Sequence, residues 1–202
     1  MILDGVDLEI LKLLTWRVRL ATGTQLVEFS GSAARTRKLH VAGLLAKDST
    51  VAAVPTLVQP LAIWLPGQEA PDFQALAWKL LQRRRSTRPK RVRVFWATKR
   101  AVQISGGVGG RIRQPVQVEH DLGTTATFLR RRIVAPEEAE RCVGEDIYRL
   151  QAARGCKVPD ALLCSATGAA ERAIEYGGAY AASRIRGFHR HCSGQKLAWE
   201  IW

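Results

Sequence analysis

Two carboxylates in the last quarter of the chain are spaced so that they could act together. In KVPDALLCSATGAAERAIEY, residues 157–176, two apolar runs read as strands joined by a turn at Gly168, with Asp160 entering the first strand and Glu175 closing the second. A carboxylate at a strand end loses solvation unless something pairs with it. Two acids brought together by one hairpin therefore invite a divalent cation, which binds through oxygen and can polarise a phosphoryl group or activate water. The same acids have a plainer use. Asp160 after Pro159 can close a turn, and Glu175 can pair with Arg184 or Arg186.

The elements that must position these acids begin at Gln117. VEHDLGTTATFLRRRI reads as a helix with Leu122, Ala126 and Leu129 on one side, and RCVGEDIYRL as a strand carrying Glu145 and Asp146. ALLCS and ERAIEY follow as strands, then a helix in GGAYAASRIRGFHRHC and a closing strand KLAWEIW. Pro159-Asp160 followed by Glu175 on the next strand, in that order of elements, resembles the PD-(D/E)XK nuclease superfamily. The resemblance implies Asp160 and Glu175 as catalytic metal ligands, with Glu145 as a third acid. It implies Mg²⁺ or Mn²⁺ as the cofactor of an active site, and no cofactor otherwise. The lysine that would complete the motif is absent, because its position is Gly177. Lys157, Arg184 and Arg186 are the nearby cations that could replace it, arginine poorly because it stays protonated.

A formal charge of +13 and a pI near 10.4 over 202 residues point to a polyanionic partner, of which nucleic acid is the commonest. An anionic membrane surface or an acidic protein are the other polyanions to weigh. No apolar run approaches the ~20 residues that span a bilayer, and the N-terminal stretch carries Asp4, Asp7 and Glu9 instead of a basic region. We therefore expect a cytoplasmic, nucleoid-associated protein with no membrane partner. Cys142, Cys156, Cys164 and Cys192 show no C-x-x-C spacing and are expected as reduced thiols.

Near the N-terminus, VDLEILKLLTWR places Leu8, Leu11, Leu14 and Val18 at helical spacing. Thr22 or Thr24 can cap a second helix and Ser32 a third, SAARTRKLHVAGLLAK, which Gly43 stops or bends. Two apolar strands, STVAAV and LAIWL, come next. Three helices and a strand pair resemble a winged helix-turn-helix, which reads duplex DNA with its third helix. Arg37 lies nearly opposite the inward face of that helix and is the expected groove contact, with Ser32, Arg35, Lys38 and His40 near the phosphates. The plainer reading is a solvated basic face.

Asp72 can start a further helix, DFQALAWKLLQRRR, whose end opens the densest charge run in the chain. Arg83, Arg84, Arg85, Arg88 and Arg91 from that run are expected DNA-binding residues tracking the backbone. The glycine-rich ISGGVGGRIRQP lacks the Lys-Ser or Lys-Thr of a phosphate loop and reads as a flexible loop, with Arg111 and Arg113 as further DNA contacts. The tryptophans, Trp78 among them, sit in apolar strands or helices and are expected in the core. His189, His191 and Cys192 are too unfavourably offset along one helix to form a zinc site with Cys156 or Cys164.

Taken together, RKLHVAGLL, EHDLGTTATFLRRR, KVPDALL, AIEYGGAY and AWEIW resemble the replication-relaxation family of plasmids and mobile elements, which is related to MobC-type relaxases. The resemblance implies an α/β (α+β) chain in three parts: a winged helix over 1–70, a basic helix and connector over 71–116, and a PD-(D/E)XK nuclease-like domain over 117–202. It implies a DNA-binding accessory of replication, relaxation or mobilisation, and the missing lysine at Gly177 points to a nuclease-like domain that has lost catalysis. One alternative is a metal-dependent endonuclease or relaxase nicking through Asp160 and Glu175. Another is a protein-interaction subunit of a larger DNA-processing complex. A homodimer through an exposed C-terminal edge strand is a further expectation.

Overall fold

The computed structural model describes residues 2–109, 115–153 and 156–202. Helix α1 (Gly5–Lys12) starts at a reciprocal cap between Asp4 and Asp7 and continues through one wider π turn, Leu13–Arg17. After β1 (Ala21–Thr22), α2 (Gly23–Ser30) is capped in the same reciprocal way by Thr22 and Gln25. Gly31, at φ 73°, ends α2 in the left-handed conformation that glycine tolerates best. Helix α3 (Ala33–Val41) leads to β2 (Leu45–Ala52) and β3 (Ala62–Trp64). In α4 (Phe73–Ser86) the Asp72 carboxylate accepts from the Gln74 and Ala75 N–H groups at 2.8 and 3.0 Å. There follow β4 (Lys90–Ala97), α5 (Lys99–Ser105), α6 (Pro115–Val134), α7 (Pro136–Glu140), β5 (Cys142–Gly144) and α8 (Glu145–Arg149). The chain then forms β6 (Ala161–Cys164), β7 (Ala170–Glu175), α9 (Ala182–Gly194) and β8 (Ala198–Ile201).

The chain divides into two compact units, each made of separated segments: Met1–Val54 with Pro89–Leu129, and Pro55–Arg88 with Arg130–Trp202. This differs from the consecutive division at 70 and 116 expected from the sequence. Strand pairing is the reason. STVAAV and LAIWL do not pair with each other: β2 runs antiparallel to β4, and β3 runs antiparallel to β8. Residues 55–88 thus leave the β2–β4 pair and contribute β3 and α4 to the second unit.

In the first unit the sheet order is β1-β4-β2, with Leu45 opposite Ala97 and Ala52 opposite Lys90. Alternation along the strands gives the sheet two apolar faces. Ala21, Leu45, Phe95 and Ala97 join Leu11, Leu14, Leu26 and Leu39 of the helices, while Ala52 and Val94 join Leu20, Val118 and Leu122. The first half of α6 is tied down by buried polar contacts. Thr125 Oγ1 donates to the Leu20 carbonyl at 2.5 Å, Gln25 Nε2 to the Leu122 carbonyl at 3.1 Å, and Arg19 pairs with Asp121.

The second unit holds a mixed sheet in the order β3-β8-β7-β6-β5. β5, β6 and β7 form an antiparallel meander; α9 then crosses over so that β8 runs parallel to β7. Its core gathers Leu76, Leu80, Leu162, Ile185, Phe188, Trp199 and Ile201. The expected open edge at the C-terminal strand is not there, because β3 covers the outer side of β8. RCVGEDIYRL forms a three-residue strand and a short helix instead of one strand. Among the described residues no helix is long and apolar enough to cross a membrane.

Candidate functional site

Helix α3 presents a sparse exposed face. Ala33, Ala34, Arg37 and Val41 are open to solvent, while Thr36 and Leu39 are buried. Small side chains around Arg37 would let another surface come close to the helix. The other expected contacts on this helix are engaged within the fold. Arg35 donates to both Asp4 oxygens at 2.6 Å and to Asp7 at 3.1 Å, and Lys38 Nζ reaches Asp7 at 2.5 Å. These hydrogen bonds anchor α3 to the capping acids of α1. Burial alone would raise the Asp7 carboxyl, but the bonds from Lys38, the Asp4 backbone and Arg35 outweigh it and hold it below the usual range. Ser32 occupies the cap position without a side-chain capping bond. His40 meets the Leu45 carbonyl through Nδ1 at 2.8 Å and sits edge-on to Phe95.

The β2–β4 pair carries a second set of cations. Register places Val51 opposite Arg91, Ser49 opposite Arg93 and Lys47 opposite Phe95, so these side chains share the face that also bears Leu45 and Ala97. Nearest the helices that face is covered; beyond them Lys47, Arg91 and Arg93 are exposed. Arg84, Arg85 and Arg88, at the end of α4 and just after it, are exposed as well. Arg83 is not. Its Nη2 donates to the carbonyls of Gly177 and Trp202 at 3.1 and 2.6 Å, and its guanidinium stacks over Tyr176 at 4.8 Å. Arg111 and Arg113 lie outside the described residues.

The hairpin of β6 and β7 brings Asp160 and Glu175 to one end of the second sheet, both buried. Asp160 Oδ2 accepts from the Tyr176 N–H at 2.8 Å, and Glu175 Oε1 accepts from the Tyr180 hydroxyl at 2.8 Å. Arg184 donates to that hydroxyl oxygen at 2.8 Å and stacks on the Tyr180 ring at 3.8 Å. Burial, with Glu175 beside it, pushes the Tyr180 phenol well above the ordinary range, so it stays a donor. Lys157 is a cation in electrostatic reach of both acids, its Nζ 4.9 Å above the Phe188 ring. Burial lowers its pKa, partly offset by Glu175. Burial also pushes the Cys192 thiol up to about 12.

Gly177 stands where the motif would have lysine, and the fold explains it. A Cβ there would come within 2.8 Å of both Leu80 methyls and 3.0 Å of Ile201. A side chain there would have to displace the buried Leu80 methyls beneath α4. Glu145 does not reach the acid pair as a third carboxylate: it opens α8, its side chain pairs with Arg149, and its N–H donates to the Asp160 carbonyl. Among the described residues no three His, Cys, Asp or Glu side chains gather closely enough to hold a metal ion. Each acid accepts a protein hydrogen bond, Asp160 from the Tyr176 N–H and Glu175 from the Tyr180 hydroxyl, and Lys157 supplies positive charge nearby. Sequence reasoning missed Tyr180 as a partner of Glu175. The only available signal was a tyrosine five residues past the acid.

The His–Cys segment of α9 is likewise absorbed into the fold. His189 accepts from Trp199 Nε1 at 3.2 Å and lies against Trp64 and Phe73, where burial lowers its pKa; Cys192 is fully buried. Comparison of the chain with family models, curated proteins and solved structures returns no significant match.

Proposed function

We propose that the protein binds duplex DNA through its first unit, and that the second unit is a nuclease-like domain that has kept the acid pair for structure and not for cleavage. The observation that carries the reading is the exposed face of α3, with Arg37 among small residues, combined with Lys47, Arg91 and Arg93 on the helix-bearing face of the β2–β4 pair. In this reading the order helix, strand, helix, helix, strand, strand is a winged helix whose wing carries residues 55–88 as an insertion. Helix α3 enters the major groove and Arg37 donates its paired N–H groups to a guanine edge, while the ladder cations meet phosphates. A net charge of +13 supplies the long-range attraction. The role fits an accessory of plasmid or mobile-element replication or mobilisation, in keeping with the resemblance noted above.

What supports a nuclease-like origin in the second unit is the β5-β6-β7 meander followed by α9 and the parallel β8, with Asp160 just before β6 and Glu175 at the end of β7. The absence of the motif lysine at Gly177 and the protein hydrogen bonds on Asp160 and on Glu175 Oε1 argue against turnover. The test is incubation with supercoiled and short duplex DNA, with Mn²⁺, Mg²⁺ or chelator. We expect metal-independent binding, no cleavage, and an affinity that falls about tenfold or more between about 50 and 200 mM salt. Arg37→Ala should weaken duplex binding by about 1–3 kcal/mol without loss of folding. Metal-dependent nicking abolished by Asp160→Ala would overturn the non-catalytic reading, and absence of duplex binding at low salt would overturn the DNA reading.

A further inference from the structure

Trp78 stands out from the other tryptophans. It lies on α4 but is 59% exposed, because Leu76 and Leu80 fill the buried side of that helix. Its ring forms one wall of a groove of about 490 Å³, shared with Gln74, Ala77 and Leu81 of α4 and closed by Tyr180, Ala181 and Ala182 at the start of α9. Small alanine side chains line the groove beside the indole. The volume is in the range of ~300–1,000 Å³ in which small planar ligands are held.

The surroundings select the charge of what enters. Neither FQALAWKLLQRRRS nor ASRIRGFHRHCSG contains an acid, and both carry exposed cations, Lys79, Arg85, Arg186 and Arg190 among them. Arg85, two helical turns beyond Trp78, returns to the same face of α4. Arg184, anchored on Tyr180, places another guanidinium beside the groove wall. An exposed aromatic ring in a largely apolar groove whose two helices carry cations and no acid, with the nearby Asp72 carboxylate committed to the Gln74 and Ala75 N–H groups and Glu175 to the Tyr180 hydroxyl, is the chemistry of a stacked base with its phosphates on either side. A duplex keeps its bases inside the stack, so only an unpaired strand can offer a base face to the Trp78 ring.

We propose that α4 and α9 form a binding site for single-stranded nucleic acid, with one base stacked on Trp78. The inference rests on the nucleic-acid reading above but assigns a separate surface and a separate form of the ligand. The test uses the full chain and fluorescence anisotropy at low salt, with labelled oligothymidylate and a labelled duplex of equal length. Trp78→Ala should weaken oligothymidylate binding about tenfold and leave duplex binding unchanged, while Trp78→Phe, which keeps a stacking face, should stay within about threefold of the parent. Thermal melts of both variants should match the parent, since Trp78 is outside the core. Unchanged oligothymidylate binding by Trp78→Ala, with duplex binding intact, would overturn this site and leave the duplex reading standing; that is also the result if the groove takes a protein segment. Equal loss in the Phe and Ala variants would overturn stacking. Failure of the parent to bind either form would sink both readings.

Discussion

Gly177 is the residue where sequence pattern and physical constraint meet. From the pattern alone it is a missing lysine; in the fold its N–H donates to the Trp202 carbonyl, its carbonyl accepts from Arg83, and a Cβ added to it would press on Leu80 and Ile201. Gly177→Lys should therefore not restore a catalytic site. It should lower stability by about 1–3 kcal/mol or more through overpacking, measured by chemical denaturation, with no gain of DNA cleavage. Nuclease activity appearing in a stable Gly177→Lys protein would contradict this account. The acids Asp160 and Glu175 were legible in the sequence because a Pro-Asp start and an acidic strand end are local signals. Their hydrogen bonds from Tyr176 and Tyr180, and the diversion of Arg83 to two backbone carbonyls, were not. Those contacts depend on which chain segments meet, which composition and spacing do not encode.

At the scale of elements, caps were the most legible features. Asp72 and Thr22 start their helices where the side-chain types place them. The cap of α1 does more than its sequence announces, since Asp4 and Asp7 also receive Arg35 and Lys38 and so lock α3 against α1. The hydrogen bond from Arg35 holds the exposed Asp4 carboxyl below its usual range as well. Because Asp7 titrates lower in the folded chain than its unfolded value of 3.8, its contribution to stability is complete above about pH 4 and is lost as pH falls through the folded value. Asp7→Asn should remove part of this acid sensitivity, seen as a smaller drop in melting temperature between neutral pH and about pH 3. Asp7→Ala should cost about 2 kcal/mol at neutral pH from the lost cap and charge-assisted bonds. Equal acid sensitivity in the parent and Asp7→Asn would show that the lock on α3 resides elsewhere. The same geometry separates the basic residues of α3: Arg35 and Lys38 hold the helix in place, and Arg37 stays exposed, as the proposed groove contact requires.

For the whole chain, α/β character and the two sets of elements could be read from periodicity, but the partition could not, because β-pairing is non-local. The central strand of the first sheet, β4, lies almost forty residues after β2, and the intervening segment belongs to the other unit. This yields a prediction about autonomy. A fragment ending at residue 70, the boundary expected from the sequence, lacks β4 and therefore loses both neighbours' ladder bonds and the Phe95 and Val94 contributions to two cores. It should be unfolded by circular dichroism. Ala52 and Lys90, by contrast, face each other at the end of the ladder, so a two-residue Asn-Gly turn can join them in register. A chain made of residues 1–52, that turn and residues 90–129 restores the sheet and retains the Thr125, Gln25 and Arg19 contacts that secure α6. It should melt cooperatively and keep the Arg37-dependent duplex affinity, while losing the Trp78-dependent affinity for a single strand along with α4. A cooperative melt from the 70-residue fragment and none from the joined chain would show that the folding units follow sequence order after all.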